Sequence, residues 1–218
     1  MKIGICSWSD REEVYSQTWP LLAKYCEKHG YSFNTNSKCF EDDVAGSWMK
    51  LKMLQQQDGL DYLVWFDDDI VITNLDQALD IYISKMHTDS SFGVSKCSGT
   101  AGQGNRFIFN MGLMITKCGD VSKNWLERIW VDGIQSKWRT KKLWEQDYIT
   151  QLYKNVAEFT KQIHLFEYGT IQTYVRPYGL PIEYAWKAGD FSAHITGQAN
   201  NNRAKNRRIQ EFLLEYDI

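Results

Sequence analysis

The chain has 218 residues, 25 basic and 27 acidic, and a formal net charge of −2. This length fits one domain with a substantial core, and the near-neutral charge argues against nucleic acid as the main partner. Five cysteines at irregular spacings, without a Cys-x-x-Cys, fit neither a disulfide framework nor a zinc site and suit a reducing cytoplasm. Since no stretch resembles a signal peptide or an integral membrane segment, we expect a soluble cytoplasmic protein; its oligomeric state stays open.

The predicted elements alternate between strand and helix in the first half of the chain. Residues 2–8 form a strand, and Ser9 with Glu12 makes a capping box for a helix near 10–28 that Gly30 ends. The other predicted elements are strands at 31–36, 60–66, 92–96 and 107–116, helices at 47–57, 76–86, 120–137, 144–154 and 203–216, and short strands within 163–195. This alternation predicts an α/β fold with a mainly parallel mixed sheet flanked by helices.

An acidic triplet follows the most apolar of these strands. Asp67, Asp68 and Asp69 interrupt the apolar run Leu60–Ile72. Ligands of open α/β sheets bind beyond the carboxyl ends of the strands, and strand alternation would place Asp67 and Asp69 on one side and Asp68 on the other. Two hard oxygen ligands aimed at one point suit Mg²⁺ or Mn²⁺. The alternative is a solvated acidic turn, although burying unpaired carboxylates beside aromatic residues would be costly.

Two further positions are candidates for a site. His194 lies in an apolar, strand-like run, where a histidine is commonly a core residue. The carboxylates of the upstream acidic triplet favour the alternative that His194 is a metal ligand. Asn110 and Gly112 interrupt the predicted strand 107–116. Glycine inside a strand indicates either close backbone approach to a ligand or a bulge.

Charged residues also mark two helices. Glu145, Gln146 and Asp147 open a helix, where acidic groups are favourable without any functional role. The C-terminal helix is basic and either presents a solvated face or neutralises phosphates. Its basic residues are Arg203, Lys205, Arg207 and Arg208.

Five segments, taken in order, resemble a known family. They are Ser-Trp-Met-Lys-Leu at 47–51, Trp-Phe-Asp-Asp-Asp-Ile-Val-Ile at 65–72, Phe-Asn-Met-Gly at 109–112, Trp-Glu-Gln-Asp at 144–147 and Phe-Ser-Ala-His-Ile-Thr-Gly at 191–197. The set is similar to the GT-A-fold glycosyltransferases with an Asp-x-Asp motif, closest to family 34, the galactosyl-, xylosyl- and mannosyltransferases. It also resembles the small glycosyltransferase domains of large algal (chlorella) viruses, which would place the chain in a host cytoplasm. The resemblance implies one GT-A catalytic domain over residues 1–218.

The resemblance assigns a donor-binding role to most of these residues. Asp67, Asp69 and His194 match the residues that hold Mn²⁺, or Mg²⁺, against the diphosphate of a UDP-sugar. The remaining implied donor-site residues are Cys6, Ser7 and Trp8 at the uridine, with Lys50, Asp68, Asn110, Gly112, Gly197 and Lys205. Family 34 usually continues the histidine's glycine with Cys and Lys, whereas Gly197 is followed by Gln198 and Ala199, so a phosphate contact would come from Arg203 or Lys205.

The implied reaction moves a sugar from a nucleotide-sugar donor to a carbohydrate acceptor, with retention of configuration. Gln146 or Glu145, and then Asp147, match the segment that would stabilise the oxocarbenium-like sugar. A glycine-containing loop at 99–104, or the basic C-terminal tail, would close over the donor and exclude water. One alternative is a haloacid-dehalogenase-type phosphatase, whose Asp-x-Asp motif the triplet also fits, although that motif usually lies on the first strand. The other is a non-catalytic nucleotide- or carbohydrate-binding module.

Overall fold

A computed structural model describes residues 1–41, 44–97, 108–136, 144–175, 182–196 and 201–218. Its strands are β1 (Ile3–Trp8), β2 (Ser32–Asn36), β3 (Tyr62–Phe66), β4 (Ile70–Ile72), β5 (Phe92–Lys96), β6 (Phe109–Lys117), β7 (Ile163–Phe166), β8 (Thr173–Tyr174) and β9 (Ser192–His194). Its helices are α1 (Glu12–His29), α2 (Met49–Leu54), α3 (Asp80–Ile83), α4 (Asp120–Ile134), α5 (Trp144–Asn155), α6 (Ala157–Thr160) and α7 (Asn202–Tyr216). Short 3₁₀ turns cover Gly46–Trp48 and Ile182–Tyr184.

A six-stranded sheet in the order β2-β1-β3-β6-β5-β7 forms the centre of the fold. Strand β6 runs antiparallel to both of its neighbours, and the other pairs in this sheet are parallel. A second sheet, in the order β4-β9-β8, joins the turn after β3 to the C-terminal part of the chain. The predicted α/β class with a mainly parallel mixed sheet is therefore confirmed.

Both faces of the central sheet are buried. Along β3, Leu63 and Trp65 belong to one core cluster, and Val64 and Phe66 belong to another. Helices α2, α4 and α5 contribute to the first cluster, and α1 and α3 contribute to the second. Two covered faces explain why β3 is continuously apolar, since a strand with one wet face would alternate. The acidic turn then begins where this strand ends.

The first helix shows a difference between the predicted and observed cap. Gly30 ends α1 in the left-handed region, with φ 69°, as predicted. The predicted capping box is wrong: α1 begins after Arg11 without a side-chain cap, and the Ser9 hydroxyl donates to Asp68 instead. The Ser9 oxygen does accept a backbone hydrogen bond, from the Arg11 N–H at 2.9 Å, but this N–H lies before the first residue of α1.

The remaining predicted elements differ mainly in length. The helix predicted at 76–86 shrinks to the single turn α3, whereas the C-terminal helix is present as α7. The predicted loop at 99–104 and Gly197 lie outside the described residues. All five cysteines are free thiols, as expected. Among the helices of the described ranges, none combines the length and apolar character needed to cross a membrane.

Candidate active site

The acidic triplet forms a turn at the carboxyl end of β3. The strand ends at Phe66, and the Ile70 N–H closes the turn by donating to the Asp67 carbonyl at 3.1 Å. Strand alternation was the reason for expecting Asp67 and Asp69 on the same side, and that reason is wrong, because these residues form a turn and are not extended. Its outcome holds, since Asp67 and Asp69 share one site while Asp68 binds residues on another side.

Strand β9 brings His194 to this turn. It pairs antiparallel with β4, so that His194 lies opposite Ile70, and the Ile195 N–H donates to the Asp69 carbonyl at 3.0 Å. As a result, ligand atoms of Asp67, Asp69 and His194 all lie within 4.8 Å of one another. The structure thus brings together the three residues that the sequence predicted as metal ligands.

The donor chemistry of this group fits a divalent cation such as Mn²⁺. Two carboxylates and one imidazole supply the oxygen and nitrogen ligands that such ions accept. The Nδ1 atom of His194 is buried, and no described residue forms a hydrogen bond with it. The Asp67 side chain is 31% exposed whereas that of Asp69 is 8% exposed, so the group opens to solvent at Asp67.

Gly112 makes room for the imidazole of His194. A Cβ atom added to Gly112 would lie 2.6 Å from the His194 Cε1 atom and 2.9 Å from the Asn110 Oδ1 atom. The β5–β6 pairing also shifts register at this segment. Glycine is needed here for close approach to a site residue, and the strand is irregular as well, so both sequence interpretations apply.

Lys205 is a buried cation of the site. From α7 its ammonium forms an ion pair with the Asp69 Oδ2 atom, while the His194 Nε2 atom lies 3.2 Å from Oδ1. Burial raises the pKa of Asp69, but the charges of Lys205 and His194 outweigh that effect and hold this pKa well below its usual value. Asp69 is consequently a buried, ionised carboxylate with both oxygens in use.

Lys50 links the acidic turn to the start of α5. Its buried ammonium lies 3.3 Å from the Asp67 Oδ1 atom and 3.1 Å from the Glu145 Oε1 atom. Burial works against the charged lysine, but these two carboxylates raise its pKa above the usual value. Burial also raises the pKa of Glu145, and the Lys50 charge opposes that rise. Lys50 therefore couples a candidate metal ligand to a candidate catalytic residue.

Other predicted residues line the same region. The Gln146 Oε1 atom accepts from the Met111 N–H at 3.2 Å, which joins α5 to β6 beside Gly112. The Asn110 Oδ1 atom accepts from Gly112 N–H and from Gln172 Nε2, both at 2.8 Å. Asp147 is buried in the first turn of α5. The segments at 110–112 and 145–147 are thus adjacent.

Asp68 has a structural environment. Arg11 contacts both of its carboxylate oxygens, with the Nε–Oδ2 distance at 2.9 Å, and the Ser9 hydroxyl donates to it as well. Thr18 donates to its carbonyl at 2.8 Å. These partners fix the turn to α1, and they direct this carboxylate to α1 rather than to the group formed by Asp67 and His194.

Side chains at the end of β1 are committed to packing. Cys6 and Ser7 are fully buried, and Ser7 accepts from the Trp19 indole N–H at 3.0 Å. The Trp8 indole donates to the Lys38 carbonyl at 2.8 Å. A nucleotide beside this strand end would therefore meet backbone atoms of Cys6 and Ser7 rather than their side chains.

Sequence reasoning missed the contacts that Trp65 and Arg11 make with the acidic turn. The Trp65 indole N–H donates to the Asp67 Oδ1 atom at 2.6 Å, and its position two residues before the aspartate at a strand end was the available signal. Arg11 gave only a weak signal. It follows β1, which neighbours β3 in parallel, so the carboxyl ends of both strands meet.

The fold is similar over nearly its whole length to known glycosyltransferases. The crystal structure of a glycosyltransferase involved in glycosylation of the major capsid of PBCV-1 matches with a TM-score of 0.74 at 17% identity, covering 97% of this chain and 100% of that chain. The chain has the GT-A glycosyltransferase fold. The galactosyltransferase LgtC, in complex with donor and acceptor sugar analogues, gives a TM-score of 0.56 at 13% identity, covering 99% and 96%.

Mouse xyloside xylosyltransferase 1 shares the GT-A fold as well. Its TM-score is 0.53 at 9% identity, with 92% of this chain and 99% of that chain covered. No protein-family model matches the sequence, and no curated protein sequence is similar to it. The relationship is therefore carried by backbone architecture, and the residues of the site provide the separate argument for function.

Removing the cation that anchors Asp68 should destabilise the protein more than removing an exposed one. Arg11→Met leaves a buried carboxylate unpaired, so we expect the free energy of unfolding to fall by about 3 kcal/mol. Lys28→Met removes a cation of α1 that forms an exposed pair with Asp76, and it should cost far less. Urea unfolding measures both, and equal losses would contradict the anchoring role.

Proposed function

We propose that this chain is a metal-dependent glycosyltransferase that moves a sugar from a UDP-sugar to a carbohydrate acceptor. The observation that carries the proposal is the convergence of Asp67, Asp69 and His194 at the carboxyl end of β3 in a GT-A fold. Neither the residue group nor the fold is sufficient alone, because acidic groups occur without metals and one fold hosts many functions. The combination favours a nucleotide-sugar donor over the phosphomonoester of a phosphatase. In this proposal residues 1–218 form one catalytic domain.

The donor site is assigned residue by residue. Asp67, Asp69 and His194 would hold Mn²⁺, or Mg²⁺ in its place. When bound, such an ion supplies charge neutralisation for the leaving diphosphate. Lys205 lies within reach of the same phosphates, because its ammonium already contacts Asp69. The ends of β1 and β3 would present backbone atoms to the uridine, at the edge where open sheets bind ligands.

The segment 145–147 is proposed to face the donor sugar. Gln146 is bound to the Met111 N–H beside Gly112, so its amide is positioned by the sheet itself. Glu145 is neutralised by Lys50, which favours a positioning role for Glu145 through that lysine. In a retaining transfer, a polar group on the face opposite the leaving group stabilises positive charge on the sugar. We assign that role to Gln146.

The first test is ligand-dependent thermal stability. UDP with Mn²⁺ should raise the melting temperature more than GDP or CMP with Mn²⁺, since a ligand at a hundredfold excess over its Kd stabilises the native state by about 2.7 kcal/mol. Asp69→Asn should abolish the UDP shift, whereas Asp58→Asn, which neutralises an exposed aspartate, should preserve it. A larger shift with GDP, or an intact UDP shift in Asp69→Asn, would contradict the donor assignment.

The second test separates catalysis from binding. Gln146→Ala should lower kcat about a hundredfold with little change in the affinity for UDP and Mn²⁺, because the lost interaction forms mainly in the transition state. Gln151→Ala removes an exposed glutamine from the same helix and is the matched control. Donor hydrolysis or transfer can be followed by UDP release. Equal rates for Gln146→Ala and the control would move the catalytic assignment away from Gln146, while UDP binding without turnover in the native chain would indicate a binding module.

A further inference from the structure

Both carboxylate oxygens of Asp69 are engaged by neighbouring side chains. The His194 Nε2 atom lies 3.2 Å from Oδ1, and the Lys205 ammonium contacts Oδ2. Lys205 is 3% exposed, so its charge has little access to water. Any cation that binds Asp69 must therefore share this carboxylate with a buried ammonium or displace it.

The charges around the turn make that displacement unfavourable for a metal alone. The carboxylates of Asp67, Asp69 and Glu145 already face the ammonium groups of Lys50 and Lys205. A divalent cation adds two positive charges beside these ammonium groups and leaves a buried ammonium without its partner, which is costly. A diphosphate ester brings negative charges that offset the added positive charge and give the ammonium a new partner.

We propose that Lys205 determines specificity for a diphosphate by exchanging Asp69 for the phosphates of the donor. The proposal rests on the proposed function, since it assigns a role to Lys205 within the same metal site. Metal and nucleoside diphosphate then bind cooperatively, because each removes the penalty that Lys205 imposes on the other. A nucleoside monophosphate has only one phosphate for both the metal ion and the Lys205 ammonium, so it should increase the affinity for the metal less than a diphosphate does.

The surrounding structure lets the side chain move while its helix stays in place. Asn201 caps α7 by accepting from the Ala204 N–H at 2.9 Å, and Arg208 donates to the Thr196 carbonyl at 2.9 Å. Ile209 and Phe212 pack into the core cluster that includes residues of β4 and β9. A lysine side chain has rotatable bonds and three donors, so its ammonium can change partner without a helix shift.

The test is a titration of Mn²⁺, measured by loss of the free-ion electron paramagnetic resonance signal. It is run without nucleotide, with UMP and with UDP. In the native chain, UDP should tighten Mn²⁺ binding at least about tenfold more than UMP does. Lys205→Met should tighten Mn²⁺ binding without nucleotide and should reduce the UDP enhancement to nearly the UMP level.

Two further variants make the result decisive. Arg207→Gln removes an exposed positive charge from the same helix and should behave like the native chain in all three titrations. Lys205→Gln keeps a donor for Asp69 while removing the charge, and it replaces Lys205→Met where that variant does not fold. An unchanged nucleotide-free Mn²⁺ affinity and an unchanged UDP enhancement in the folded uncharged variant would overturn the role of Lys205.

The same titrations separate this proposal from the proposed function. Absence of Mn²⁺ binding in the native chain, even with saturating UDP, would overturn the metal-dependent function and this proposal with it. Native binding that UDP strengthens, with identical values in the Lys205 variants, would leave the function standing and refute only the exchange by Lys205.

Discussion

Three consecutive carboxylates on one turn have to be neutralised as the protein folds, and this requirement organises the site. Each carboxylate takes its cation from a different helical region: Asp67 from Lys50 on α2, Asp68 from Arg11 at the start of α1, and Asp69 from Lys205 on α7. Because an unpaired buried charge costs several kcal/mol, these pairings tie parts of the chain that are far apart in sequence to the end of β3. The position of α7 over the site follows from this constraint as well as from its apolar packing.

The three pairs differ in what they permit. The Asp68–Arg11 pair is reinforced by the Ser9 hydroxyl, and it anchors the turn. The carboxylates of the other two pairs, Asp67 with Lys50 and Asp69 with Lys205, are the ones that lie beside His194. One turn thus combines a central carboxylate held by Arg11 and Ser9 with two outer carboxylates that each pair with a lysine ammonium. This division explains how a buried acidic site remains stable before a ligand binds.

Local patterns account for most of the architecture. Strand and helix order, the Gly30 stop and the class of sheet were predictable because periodicity and glycine conformation are short-range properties. The metal group was predictable from a resemblance between segments, although the alternation argument for Asp67 and Asp69 was wrong in its premise. Arg11, the Ser9–Asp68 bond and the Lys50–Glu145 pair were not predicted. They depend on which helices meet at the turn, and that information lies in tertiary packing rather than in any one segment.

The most direct measurement is an anomalous difference map at the manganese absorption edge, from crystals grown with UDP and Mn²⁺. We predict one strong peak in contact with Asp67, Asp69 and His194, with the diphosphate bound next to the metal and in contact with Lys205. A peak that lies away from these three side chains, or UDP bound without any manganese signal at the turn, would contradict the assignment of this turn as the donor's metal site.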